Sequence, residues 1–391
     1  MDGVGKKVGR IRLLDVLRGF AILGTLGTNI WLFSSVGSGS ILLGAGEAWW
    51  SSLDAFVTVL ALFVTNGKFL GLLTIMFGVG LEILYQRSRR RGLPWLVPYL
   101  WRSALLFLDG LLHYLLVVEF DILMGYAMTA MIVAFVVGRG DRAINVTMWV
   151  AGALHLLLFG GLALLVAVYG DGGAAAGQFA ESYARLYNEG SYLDQVAFRF
   201  ENVVLFRIEA FGVVPMSTFL FLLGVRLMRG GAFSPDERGR HIRRGMMRWG
   251  FGLGVPLNLV VFLPNDAFEL LSRYFFAVLI SLGYIGLAAW MLERGLLPRL
   301  SARLEEIGKM ALSCYMLQNV VASVIFYGWG FGLTGRVGAF GTLAVWAAIS
   351  ASLMGFAHLW LRRYPNGPFE GIWKRLVSLA EPKADRRRWM S

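Results

Sequence analysis

Ten apolar stretches of about twenty residues recur along this chain, at 11–33, 66–86, 97–118, 121–138, 144–169, 203–228, 246–263, 269–292, 308–330 and 338–361. A helix of about 20 apolar residues is what crosses a hydrocarbon core of about 30 Å. In lipid, backbone hydrogen bonds must close within the segment, so only helices and closed barrels span. A barrel would show shorter, alternating segments. The expectation is therefore an all-α polytopic transmembrane bundle of about ten spans, one integral membrane domain over 1–391. Only 16% of the residues are charged, against about 25% in soluble domains. The run 54–65 is also apolar, but Asn66 and Lys68 interrupt it. It is expected as a short helix at the outer surface that leads into the second span.

The loops set the orientation. "QRSRRRG" (86–92), "GRGDR" (138–142), 228–245 and 293–309 hold most of the Lys and Arg, together with the two chain ends. The alternate loops 34–53, 119–121, 264–268 and 331–337 hold a single cation, Arg336. Basic loops stay cytoplasmic, so both termini, including a tail over 366–391, are expected inside. The net charge of +12 is then a topology signal rather than a nucleic-acid surface, which would need a basic patch on a soluble domain. Lys6, Lys7, Arg10 and Arg12 flank the first apolar run as in a signal peptide, but the run is too long for one and holds Asp15 and Arg18. It reads as an uncleaved first span. The single Cys314 excludes an internal disulfide, and His113, His155, His241 and His358 lack metal-ligand spacing. No metal site is expected.

The sizeable outer segment, 170–202, carries Asp171, Glu181, Glu189, Asp194 and Glu201 against Arg185 and Arg199. Phe179, Tyr183, Leu186 and Tyr187 share a helical face. The segment reads as an amphipathic surface connector, or as a lid over a substrate cavity.

Charges inside spans are costly and point to function by default. Asp15 and Arg18 stand one turn apart on one face of the first span. They form either a structural ion pair or the inner mouth of a polar cavity, with Asn29 further out. In the third span Arg102, Asp109 and His113 share a face, because they are seven and four residues apart. A carboxylate one turn from an imidazole can fix its tautomer, so Asp109 and His113 are the candidate catalytic pair. The alternative is a buried hydrogen bond serving packing. Glu119 and Asp121 follow in the tight outer turn, and Lys68 is placed to pair with either of them. Arg207 lies deep in the sixth span, where Pro215 permits a helix break. Gln318 and Asn319 of the ninth span read first as interhelical glue.

Five motifs in order resemble one family. "LLDVLRGFAILG" (13–24), "GKFLGLLTIMFGVG" (67–80), "GLLHYLLVVEFDILMGYA" (110–127), "GKMALSCYMLQN" (308–319) and "NGPFEGIWKRL" (366–376) resemble the YeiB-like family of bacterial inner-membrane proteins. The chain departs from that pattern at Lys309, Ser313, Cys314 and Gly371. The family is distantly similar to transmembrane acyltransferases, among them the lysosomal heparan glucosaminide acetyltransferase and bacterial sugar O-acetyltransferases. Their first helix bears an Asp-x-x-Arg-Gly type signature. The resemblance implies a multi-pass protein of the bacterial inner membrane that moves an acyl group from cytoplasmic acyl-CoA to an outer acceptor. His113 and Asp109 would be catalytic, and Asp15, Arg18, Asn29, Lys68, Glu119, Asp121, Arg207 and Gln318 would bind substrate. Two other readings stay open: a small-molecule transporter using the same charges, and a scaffold in which those charges only pack. In each case the expected partners are the lipid bilayer and, outside the scaffold reading, a small molecule, with no nucleic acid.

Overall fold

The computed structural model describes residues 11–36, 49–170, 173–263 and 265–378, with backbone only for 173–177. Lys6, Lys7, Arg10, Asp171 and the tail from 379 lie outside the described residues. All ten apolar stretches fall on helices. The helices are α1 (Arg12–Ser34), α2 (Leu53–Thr65), α3 (Lys68–Arg90), α4 (Leu96–Leu116), α5 (Leu123–Val137), α6 (Asp141–Tyr169), α7 (Gly173–Glu189), α8 (Tyr192–Glu201), α9 (Val203–Gly212), α10 (Val214–Gly230), α11 (Glu237–Asn258), α12 (Asp266–Leu271), α13 (Ala277–Glu293), α14 (Pro298–Lys309), α15 (Ala311–Phe326), α16 (Ala339–Leu361) and α17 (Pro368–Ser378).

Five segments are long and apolar enough to cross a membrane, or seven when two bent pairs are each taken as one. The five are α1, α2 with α3, α6, α12 through α13, and α16. The bent pairs are α9–α10, at 40°, and α14–α15, at 93°. The expectation of about ten thus meets five to seven by this measure. α5 has only 15 residues, α4 carries Arg102 and Asp109 within its 21, and the first half of α11 is rich in arginine. Large apolar side chains face outward on α6, including Trp149, Val150, Leu157 and Leu164. A helix with such a surface is at home in lipid.

The short helix expected over 54–65 is α2, and it runs on into α3. α2 and α3 form one 38-residue apolar segment, interrupted at Asn66 and Gly67. Gly67 has φ 76°, a left-handed conformation open to glycine at little cost. α2 starts beside Gly338 and descends until the Thr65 hydroxyl donates to the Gly27 carbonyl of α1 at 3.2 Å. The α9–α10 break falls at Val213, two residues before Pro215.

The arginine-bearing helix ends meet one another. Arg229 of α10 donates to Glu82 of α3 at 2.8 and 3.0 Å and to Asp141 of α6 at 2.8 Å. Arg243 of α11 pairs with Glu293 of α13 at 2.5 Å, and Arg12 of α1 with Glu305 of α14 at 2.8 Å. At the opposite end the Gly335 amide donates to the Ser34 carbonyl at 2.8 Å, and the Gly328 amide to that of Tyr187 at 2.8 Å.

Packing between spans uses small residues, since lipid tails compete equally for apolar side chains. α3 and α10 are the clearest case. A Cβ at Gly78 would collide with the Phe221 carbonyl, and one at Gly224 with the Ile75 carbonyl. Gly78→Leu and Gly224→Leu are each expected to destabilise the protein by about 1–3 kcal/mol or more. Unfolding midpoints in detergent check this; unchanged midpoints for both would mean that the two helices do not touch there.

Candidate functional site

The α4–α5 hairpin gathers most of the predicted residues. α4 ends at Leu116, so its last carbonyls lack intrahelical donors. α8 supplies donors instead. Arg199 Nε donates to the Leu115 carbonyl at 2.9 Å and Nη1 to that of Val117 at 3.3 Å. The Tyr192 hydroxyl donates to the Leu116 carbonyl at 2.8 Å. A cation at a helix C-terminus also complements the helix dipole. Arg199 lies 3.8 Å from Glu119, whose Oε2 accepts from the Tyr187 hydroxyl of α7 at 2.8 Å. Burial, reinforced by the Glu119 carboxylate, pushes the Tyr187 phenol far above its usual range. The segment 170–202 is therefore more than a surface connector: Tyr187 and Arg199 are buried and fasten it over the hairpin. α8 itself starts with a capping box in which Ser191 and Asp194 bond reciprocally. The two Ser191 hydrogen bonds hold the Asp194 carboxyl below its ordinary value.

Beneath this cap Arg207 of α9 donates to the Asp121 carbonyl at 2.8 Å and to the Glu119 carbonyl. Its guanidinium stacks on the Tyr114 ring at 4.1 Å. The hairpin backbone is thus clamped from α9, which orients the side chain of Asp121. The Oδ1 of Asp121 receives His113 Nδ1 at 2.8 Å and the Tyr315 hydroxyl of α15 at 3.0 Å. Its Oδ2 receives the Leu123 amide at 2.8 Å. Both His113 and Asp121 side chains are fully buried.

This corrects the catalytic pairing expected from spacing. The carboxylate that holds His113 is Asp121, eight residues on, not Asp109. Asp109 is half-buried on α4 and lies beside the Trp373 indole of α17, without a well-aligned hydrogen bond. Helical spacing placed it one turn away, but the chain returns at the hairpin and presents a closer acceptor. An acceptor at Nδ1 selects, for an imidazole carrying one proton, the tautomer with that proton on Nδ1 and the lone pair on Nε2. Asn319 Nδ2 stands 3.4 Å from Nε2.

A cavity of about 590 Å³ opens at the arginine-bearing end. Asp15, Arg18, Arg102, Lys309, Glu370 and Lys374 supply its charged groups. Arg18 and Asp15 are 3.5 Å apart, so the ion pair and the cavity mouth foreseen for them are the same place. The wall between is apolar, with Leu73, Met76, Phe77 and Leu106, rather than polar as expected. It reaches Leu123 and Tyr315, two of the residues that hold Asp121. His113 stands one side chain behind that wall, its ring 5.3 Å from Tyr315.

Three predicted residues lie elsewhere. Lys68 does not meet Glu119 or Asp121. It is buried near the Phe63 ring, at 5.7 Å, and is attracted by Glu269, which accepts from Asn66 Nδ2 at 2.7 Å. Asn29 is half-buried on α1 and lines neither described cavity. Gln318 is fully buried with both amide atoms lacking a hydrogen-bond partner.

Sequence reasoning missed Tyr315, Tyr187 and Glu370. Glu370 of α17 accepts from the Leu312 and Ser313 amides at 2.8 and 3.1 Å and from the Ser313 hydroxyl, capping α15 from outside. Glu370 sits in a quoted motif, so it was in view without a role. Tyr315 and Asn319 are four apart on one helical face, a signal that was there to use.

Residues 227–380 match the family model described as "Protein of unknown function (DUF418)". That stretch contains Tyr315, Asn319 and Glu370 but not the α4–α5 hairpin. Over its whole length the chain is 25% identical to "Uncharacterized protein YxaH" of Bacillus subtilis, across 95% of both chains. It is 27% identical to "Uncharacterized protein YeiB" of Escherichia coli, across 93% of this chain and 95% of the relative. It is 24% identical to a 39.9 kDa uncharacterized protein of Bacillus acidopullulyticus, across 94% of each.

Proposed function

We propose that this chain, which belongs to the YeiB-like family, is an acyltransferase of the bacterial inner membrane. The reading takes the arginine-bearing end as cytoplasmic, by the bias of basic loops. Both termini then lie inside, and α4, α5 and α11 cross as well, to make ten spans. The observation that carries the activity is a buried His113–Asp121 dyad one side chain behind the deep wall of a cation-rimmed cavity.

The chemistry follows from the tautomer. An acyl thioester binds from the inside, its phosphates held by Arg18, Lys309 and Lys374. An acceptor hydroxyl or amine comes from the outside, beneath α7 and α8. His113 Nε2 takes the acceptor's proton as its oxygen or nitrogen bonds to the acyl carbon. The carbon–sulfur bond then breaks, and the leaving thiolate receives that proton from His113. Asp121 stabilises the transient imidazolium without itself becoming protonated, as in other carboxylate–histidine pairs. Glu119 Oε1, Arg199 Nη2 and the Tyr327 hydroxyl are buried without partners, and they supply polar contacts for an acceptor. Tyr315 must swing for donor and imidazole to meet, since it forms the wall between them.

The test is calorimetry of acyl-CoA binding to purified protein, followed by CoA release in proteoliposomes. Arg18→Ala is expected to weaken binding about tenfold, the loss of one charge-assisted hydrogen bond of about 1.5 kcal/mol. Absence of any CoA binding would overturn the assignment.

One observation favours a transporter instead. A second cavity, of about 870 Å³, opens at the opposite end, lined by Trp31, Asp54, Asp266 and Glu269 among others. Two cavities with a closed middle suit alternating access. Flux through proteoliposomes that contain no acyl donor would decide for that reading.

A further inference from the structure

We infer that the acyl group taken by this site is a long hydrocarbon chain, and that the cavity at the arginine-bearing end is its berth. This rests on the acyltransferase reading and narrows its donor. Three observations converge. First, the cavity, at about 590 Å³, is far larger than a two-carbon unit requires. A water molecule's share of liquid volume is about 30 Å³, close to that of one methylene, so the space holds many such units. Second, its wall is hydrocarbon. α1 contributes Leu14 and Ile22, α3 contributes Leu73 and Met76, and α4 and α5 contribute Leu106 and Ala130. A pantetheine arm or a phosphate would find few partners along it, whereas a methylene chain would bury much of its surface there. Third, the charge is segregated. Lys309, Lys374 and Arg18 gather with the first and last helices of the bundle at the rim, while Tyr315 and Leu123 mark the opposite limit beside Asp121. That polarity fits an anionic head outside and an apolar tail inside.

The direction of loading follows. The tail lies along the apolar section. For chemistry the carbonyl has to reach His113, so the tail must lie alongside the α1–α3 wall while the carbonyl turns toward Tyr315. A two-carbon donor would leave most of that wall facing an empty or water-filled space, which apolar surfaces disfavour.

Binding of acetyl-, octanoyl- and palmitoyl-CoA to the purified full chain in detergent tests the inference, with phosphatidylglycerol as competitor. A buried methylene is worth about 0.8 kcal/mol, a factor of about four in affinity at full burial. Affinity is therefore expected to climb at least a hundredfold from acetyl- to palmitoyl-CoA. Ala130→Phe, which fills the cavity from α5, is expected to erase most of the gain beyond octanoyl. Should that variant fail to fold, Leu106→Trp from α4 serves the same end. Equal affinity for acetyl- and palmitoyl-CoA would overturn the long-chain inference and leave the acyltransferase reading standing. If no CoA ester binds while phosphatidylglycerol does, both fall, and the cavity is a lipid site.

Discussion

On the acyltransferase reading, Asp121→Asn should lower acyl transfer by about 10³–10⁴-fold, while Asp109→Asn stays within a few-fold of the natural protein. The difference rests on one hydrogen bond. Asp121 accepts from His113 Nδ1 at 2.8 Å, which leaves Nε2 unprotonated and available as a base. An asparagine of the same shape can present its amide N–H to Nδ1. The imidazole then keeps its proton on Nε2, and the base is lost although its position is not. A carboxylate-to-amide change of this kind costs about 10⁴ in the unrelated Ser-His-Asp triad of serine proteases, and general-base catalysis alone is worth about 10²–10⁴. His113→Ala should be equally severe. The double variant should be little worse than either single one, because the two side chains act as a unit. Initial rates of CoA release with acceptor present provide the check, and folding is confirmed by elution volume and unfolding midpoint. A dead Asp109→Asn beside an active Asp121→Asn would return the role to the residue that helical spacing suggested.

That contrast marks how far the sequence could be read. The hydrophobic runs announce the helical bundle, since the length needed to cross lipid is fixed by bilayer thickness and helix rise. The importance of the 99–123 stretch was legible for a similar reason: five ionisable groups, Arg102, Asp109, His113, Glu119 and Asp121, in an apolar hairpin demand partners. Which partners they take was not. Spacing along a helix gives neighbours on that helix only, and the competing acceptor for His113 comes from beyond the turn. Tyr187, Arg199 and Arg207 arrive from segments 68 to 88 residues away in the chain. Nothing local to "YARLYNEG" reports that its second tyrosine is buried whole, nor anything in "AFRFEN" that its arginine is. Lys68 shows the converse failure. Its need for an acidic partner was foreseen, but Glu269, which attracts it, lies far along the chain, and the nearer acidic pair in the sequence was the wrong one. The broken α2–α3 span was visible only as an interruption, because Asn66 and Gly67 can end a helix or merely bend its course.

Arg207→Leu is expected to lower the stability of the protein in detergent by about 3–5 kcal/mol, the usual result of breaking a buried charged contact from one side. Arg207 is 2% exposed, yet its chief partners are the Asp121 and Glu119 backbone carbonyls rather than a single carboxylate. Leucine would leave both acceptors without that donor, at about 1–3 kcal/mol each. It would also remove the guanidinium that lies 4.1 Å from the Tyr114 ring. Lysine keeps the charge, but a single ammonium lacks the planar fork that bridges two carbonyls, so Arg207→Lys should recover less than half of the loss. The consequence reaches the dyad. The turn from Val117 to Ile122 joins the helical pattern only at its ends, through the Val117 amide to the His113 carbonyl and the Tyr126 amide to the Ile122 carbonyl, and the Arg207 clamp on the Glu119 and Asp121 carbonyls helps set the direction in which Asp121 points. Destabilisation and loss of acyl transfer should therefore travel together for Arg207, whereas Asp121→Asn should lose activity with the fold retained. An Arg207→Leu protein with an unchanged unfolding midpoint would mean that the hairpin holds itself, and that the dyad is positioned from α15 through Tyr315 instead.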